Sequence, residues 1–166
     1  MERCSILALL SAAVLIMSCL GVEGWSSYNT EVFQVGGKVM CQDCSKDWNQ
    51  WAHGAVPIQG SKVAVTCMDA RARVVYHTSD LADAEGEFDL SVTKNVDGIE
   101  IDPEHCTVRL VSSGSATCNL MTDFGGGKSG VSLHRPTQVY PGVIKYTVGP
   151  FYFTTPQCDL PDNGPQ

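Results

Sequence analysis

The sequence predicts an all-β domain, a single antiparallel barrel or sandwich of about seven strands stapled by three disulfides. Three observations predict it. Short runs of β-branched and aromatic residues alternate apolar with polar at a period of two. Gly, Pro, Ser and Asp punctuate those runs, and helix-forming periodicity is almost absent. Of eight cysteines, Cys4 and Cys19 flank the N-terminal apolar run. The other six, Cys41, Cys44, Cys67, Cys106, Cys118 and Cys158, are spread over a stretch of small-domain size, an even number that leaves no thiol over once that run is removed.

In chain order, Met1 to Arg3 is a short polar start and Ile6 to Val22 is an apolar run of 17 residues holding no charge. The small residues Val22 and Gly24 suit a signal peptidase, so residues 1–24 read as a cleaved export signal. A retained membrane anchor is the competing reading, at the lower edge of the length that spans a bilayer. Residues 25–31 form an N-terminal extension, 32–158 the β domain and 159–166 a polar tail expected to be mobile. After cleavage no membrane association is expected, and a secreted, extracellular location follows.

The first strand carries Phe33, Val35, Gly37, Val39 and Cys41 on one face, with Lys38 and Met40 on the other. Val63, Val65 and Cys67 alternate likewise, as do Phe88, Leu90 and Val92, and then Cys106, Val108 and Leu110. In each of the three strands that contain a cysteine, the sulfur lies on the apolar face, where a cross-core disulfide would sit. Val74 to Tyr76, Val131 to Leu133, and Val139 to Val148 with Phe151 to Phe153 supply further strands. Pro57 to Gly60 and Ala84 to Glu87 read as turns in which Gly permits positive φ. The run Gly125 to Gly130 reads as a mobile loop.

Charge narrows the function classes. Residues 25–166 hold 10 basic and 16 acidic side chains, so phosphate-rich partners are repelled and nucleic acid is excluded. Nine of those acids fall between Asp80 and Glu104, opposed in that stretch only by Lys94. Such a stretch suits calcium in ligand type, but the spacing does not follow the EF-hand pattern, so solvent-facing positions are expected and no metal is assigned.

Cys41 and Cys44 form a C-x-x-C pair, but it follows a strand rather than opening a helix, which argues for structural disulfides over redox chemistry. The remaining cysteines lack the close second pair that zinc needs. No nucleophile elbow or zinc-protease motif occurs, and His53, His77, His105 and His134 stand apart in the sequence. No catalytic residue and no cofactor is assigned. Trp48 and Trp51, close behind the C-x-x-C pair, are candidate glycan-stacking residues, with burial at one end of the domain as the alternative.

The segments VGGKVMCQDC and AVPIQGSKVAVTC, followed by AEGEFDLSV, an interval of 12 between Cys106 and Cys118, and KYTVGPFYFTTPQC, resemble the pollen Ole e I allergen and extensin family. The resemblance covers roughly Val32 to Cys158. It implies a secreted, non-enzymatic all-β module of the plant cell wall or apoplast. It also implies the pairs Cys41–Cys118, Cys44–Cys158 and Cys67–Cys106, one of 15 arrangements open to six cysteines. In the chain-entropy picture each pair contributes roughly 4–5 kcal/mol at most. Two features depart from the family pattern. Asn29, Asn49, Asn95 and Asn119 all lack the N-x-S/T context, and no proline-rich repeat is present.

The expected function is binding of wall polysaccharide or wall glycoprotein. An extracellular signalling or adhesion module with a receptor ectodomain as ligand is the first alternative. A secreted enzyme with an unrecognised site is the second.

Overall fold

The computed structural model describes residues 31–42 and 54–156. The apolar N-terminal run, Cys44, Trp48, Trp51, Cys158 and the polar tail lie outside the described residues. Strands β1 (Val32–Gln42), β2 (Val56–Pro57), β3 (Lys62–Met68), β4 (Val74–Leu81) and β5 (Glu87–Thr93) come first. A small hairpin, β6 (Asn95–Val96) and β7 (Ile99–Glu100), precedes β8 (Cys106–Ser112) and β9 (Leu120–Met121). The chain closes with β10 (Val131–Ser132), β11 (Gln138–Tyr140) and β12 (Val143–Thr154).

The architecture is an open, sandwich-like pair of sheets. One sheet has six strands, with β1 and β12 at its centre, β5 and β2 beyond β1, and β11 and β9 beyond β12. The other runs β10-β8-β3-β4. The apolar faces read from the sequence meet between them: Phe33, Val35 and Val39, Val63 and Val65, Leu90 and Val92, and Val108 are buried. Phe88 stacks on Phe151 at 6.1 Å, and Phe33 meets Tyr146 edge-on at 5.6 Å. Full burial of each such ring is worth about 1.5–3 kcal/mol.

The direction and extent of the last strands differ from the sequence expectation. β1 and β12 run parallel, although every other strand pair among the described residues is antiparallel. The expected strand from Val139 to Val148 is split by Pro141 and Gly142, whose φ of 83° turns β11 back onto β12. The turns at Gly60 and Gly86 have φ of 75° and 73°, as their glycines require.

The parallel ladder runs from Gln34 opposite Lys145 to Gln42 opposite Thr154, with an irregularity as Gly37 gives way to Val39. Across that step β12 inserts one extra residue, a bulge at Gly149 and Pro150. Gly37 is required here: a Cβ would collide with the Val148 carbonyl and lie 2.7 Å from the Phe88 ring.

Cys67 and Cys106 face each other across the β3–β8 ladder and are bonded, with Cα atoms 4.0 Å apart. Their sulfurs lie on the buried face, but the bond joins neighbours in one sheet rather than crossing the core, because adjacent strands bring them closer than facing sheets do. Cys41, at the end of β1, is bonded to Cys118 in the segment between β8 and β9, and so ties the end of β1 to the connection that passes between the two sheets. The third pair lies outside the described residues.

The segment Gly125 to Gly130 is anchored rather than loose. Asp123 accepts the backbone N–H groups of Lys128 and Ser129 at 3.2 and 2.7 Å, and Leu110 donates to the Gly127 carbonyl at 2.9 Å. The glycines serve close approach: a Cβ on Gly127 would lie 2.8 Å from the Leu110 side chain. Hydrogen bonds from Ser129 hold the Asp123 carboxyl below the ordinary aspartate range, with Lys128 adding to the effect.

Substituting Gly37→Ala should cost about 2–3 kcal/mol in denaturant unfolding, because backbone and ring must both move. Asp123 has its pKa lowered on folding, so its contribution is present above the unfolded value near about 3.9 and fades as pH falls through the lower folded value. Asp123→Asn should therefore flatten the acid limb of stability against pH, measured by thermal melts, and should speed amide exchange at Ser129. An unchanged acid limb would contradict this role.

Candidate functional site: the outer face of the six-stranded sheet

Residues that do not enter the core from β1, β5, β11 and β12 share the outer face of the larger sheet, and the register sorts them into rows. Gln34 lies opposite Ser91 on one side and Lys145 on the other, and Lys145 lies opposite Gln138. Two residues earlier along the strands, Val32 lies opposite Thr93, and Tyr140 opposite Val143. This row is apolar and open to solvent, with Tyr140 62% and Val32 40% exposed. Two residues later, Gly36 lies between Asp89 and Thr147. Lys38 opposite Glu87 closes the series.

Charged groups on this face are paired. Lys145 Nζ donates to Asp89 Oδ2 at 2.8 Å, crossing the strand between them. Glycine at position 36 eases that crossing, since a Cβ there would lie 3.1 Å from the Lys145 side chain and push it outward. Lys38 pairs with Glu87 at 3.4 Å. The Thr137 and Thr147 hydroxyls share a hydrogen bond of 3.0 Å at the β11 edge. The two ion pairs line a groove of about 600 Å³ in the face, together with Asp80, Leu81, Asp83 and Pro150. Asp83 also accepts from the N–H groups of Glu85 and Glu87, which fixes the turn at the rim.

The acidic stretch is thereby divided. Glu87 and Asp89 point to the outer face, Asp80 and Asp83 stand at the groove rim, and Asp102 caps a 3₁₀ turn at Pro103–His105 through the Glu104 N–H. Lysines from distant strands, Lys38 and Lys145, oppose the first two, which a count along the sequence could not find. Among the described residues, no group of three or more His, Cys, Asp or Glu is arranged to hold a metal ion. Of the sequence-assigned residues, Cys41, Cys118, Cys67 and Cys106 take structural positions, while Trp48, Trp51, Cys44 and Cys158 lie outside the described residues.

A second cleft of about 440 Å³ lies between β10 and β12, where Ser132, His134, Arg135 and Tyr146 meet. Burial raises the Tyr146 hydroxyl above its ordinary pKa, helped by the charges of Asp102 and Glu104.

The comparisons agree with this architecture. No family model matches the chain. A pistil-specific extensin-like protein of Nicotiana tabacum is 32% identical over 131 residues, 72% of this chain. The major plantain pollen allergen Pla l 1 superposes with a TM-score of 0.52 at 24% identity, over 79% of this chain and 98% of the allergen. The chain belongs to the pollen Ole e I allergen and extensin family. It spans 29% of the length of the extensin-like relative, so it corresponds to one portion of that protein. Family membership accounts for the all-β fold and the disulfide-bonded scaffold. The outer-face rows come from this chain's own side chains. No helix among the described residues is long and apolar enough to cross a membrane.

The Lys145–Asp89 pair should couple modestly, because both side chains remain partly exposed, at 29% and 49%. A double-mutant cycle with Lys145→Met and Asp89→Asn should give about 0.3–1 kcal/mol at low salt and less at high salt. A coupling near zero at every ionic strength would remove the pair as an organiser of this face.

Proposed function

We propose that this chain is a secreted, non-enzymatic module of the plant cell wall or apoplast that binds wall polysaccharide or wall glycoprotein. The observation that carries the reading is the outer face of the six-stranded sheet. There a rigid scaffold presents amides, hydroxyls, paired charges and an exposed tyrosine, with no ordering cost for a mobile loop. Such a surface can hydrogen-bond a hydroxyl-rich chain without a reacting group at its centre. The kinship with an extensin-like protein and a pollen allergen supports the extracellular setting. The apolar run of residues 6–22 supports export. Disulfides linking β3 to β8, and β1 to the connection between β8 and β9, suit an oxidising compartment outside the cell.

Retention on isolated wall fractions tests the reading. The purified protein should be held by polysaccharide or glycoprotein fractions and released by competing soluble oligosaccharide. Retention only by a receptor ectodomain would favour the signalling alternative instead. Turnover of a wall substrate, abolished by point substitution of a Glu or His, would favour an enzyme.

A further inference from the structure

Given the wall-binding reading just proposed, on which this inference rests, the outer-face geometry bears on the kind of glycan. We infer that the outer face of the six-stranded sheet takes a neutral polysaccharide chain laid along the strands, with Tyr140 stacking on a sugar at one end and Gln34, Gln138 and the Lys145–Asp89 pair hydrogen-bonding its hydroxyls.

Charge selects the ligand class. The two lysines on the face, Lys38 and Lys145, are matched by Glu87 and Asp89, so the face is neutral as a whole. At the groove Asp80 and Asp83 add two further carboxylates. A polyuronate would meet these acids with no unpaired lysine or arginine among the described residues of the face, and residues 25–166, with 10 basic against 16 acidic side chains, would repel it further. A neutral chain carries no such cost. It offers hydroxyls to groups that both donate and accept, which the side chains of Gln34, Gln138 and Thr147 do.

Geometry selects an extended ligand. Alternate residues on a strand lie about 6.6 Å apart, so the rows from Val32 to Lys38 span roughly 20 Å in a line. The row beside Tyr140 adds exposed Val143 and Val32, an apolar strip suited to the C–H face of a sugar ring. Over Gly36 the Lys145 side chain crosses to Asp89, so the middle of the track presents that ion pair to the chain.

Titration calorimetry tests the inference with three probes of matched length: a β-1,4-galactan oligosaccharide, a β-1,4-glucan oligosaccharide and an oligogalacturonate. At least one neutral probe should bind, with little dependence on salt, and the oligogalacturonate should bind at least about tenfold more weakly, a difference of about 1.4 kcal/mol. Tyr140→Ala and Gln34→Ala should each weaken the neutral probe by about tenfold or more. Val74→Ser, on β4 of the other sheet, should leave it unchanged. Both Tyr140 and Val74 are more than half exposed, so their variants should melt like the wild type. Preference for the oligogalacturonate, or for a lysine-rich peptide, would overturn the inference, as would unchanged binding by both face variants. Wild-type protein held by wall fractions but by no neutral probe would overturn this inference alone. Protein held by no fraction at all would overturn the wall-binding reading beneath it.

Discussion

The parallel pairing of β1 with β12 is the constraint on which the rest of the structure depends. It joins the first described strand to the last, residues more than a hundred positions apart, through a ladder from Gln34 to Thr154. Each of the two strands then carries shorter strands on its far side, so the larger sheet is assembled outward from this pair. Contacts of such sequence separation close a large loop before they are rewarded, and this chain meets that cost with dense packing. Phe33, Val35, Phe151 and Phe153, contributed by the two strands, are all essentially inaccessible to solvent.

The same pair builds both faces of the sheet. Its inward residues meet the smaller sheet and form the core. Its outward residues, Gln34, Gly36 and Lys38 with Lys145 and Thr147, form the centre of the sheet's outer face. Glycine serves each side differently: at Gly37 it admits the Phe88 ring and the Val148 carbonyl, and at Gly36 it eases the reach of Lys145 to Asp89. Cys41–Cys118 then secures the end of β1 to the segment following β8, and Cys67–Cys106 fixes the register of β3 and β8. Rigidity of the face is thus a consequence of how the core is closed.

The alternation of Phe88, Leu90 and Val92 with Glu87, Asp89 and Ser91 was legible directly, because a half-buried strand writes its two faces into a period of two. The buried faces of β1, β3 and β8 were legible for the same reason. Which strands adjoin was not, because periodicity carries no information about partners. The parallel placement of β12 beside β1 therefore could not be read, nor could the pairing of Glu87 and Asp89 with lysines far away in sequence. The glycine-rich segment misled for a related reason: composition reports freedom in the unfolded chain, whereas here Asp123 and Leu110 restrain it through tertiary contacts. Tyr140 gave no signal of its own, since exposed tyrosines on a hairpin are ordinary until a neighbouring strand supplies Val143 and Val32 beside it.

Fold and proposed function meet in the central ladder, because without it the rows of the outer face do not line up. Hydrogen exchange on the oxidised protein tests that dependence most directly. Amides of β1 and β12 that bond one another should be among the last to exchange and should do so together, as one cooperative unit distinct from the edge strands β4 and β11. Exchange of the β12 amides as fast as those edges, while β3 and β8 stay protected, would contradict the account.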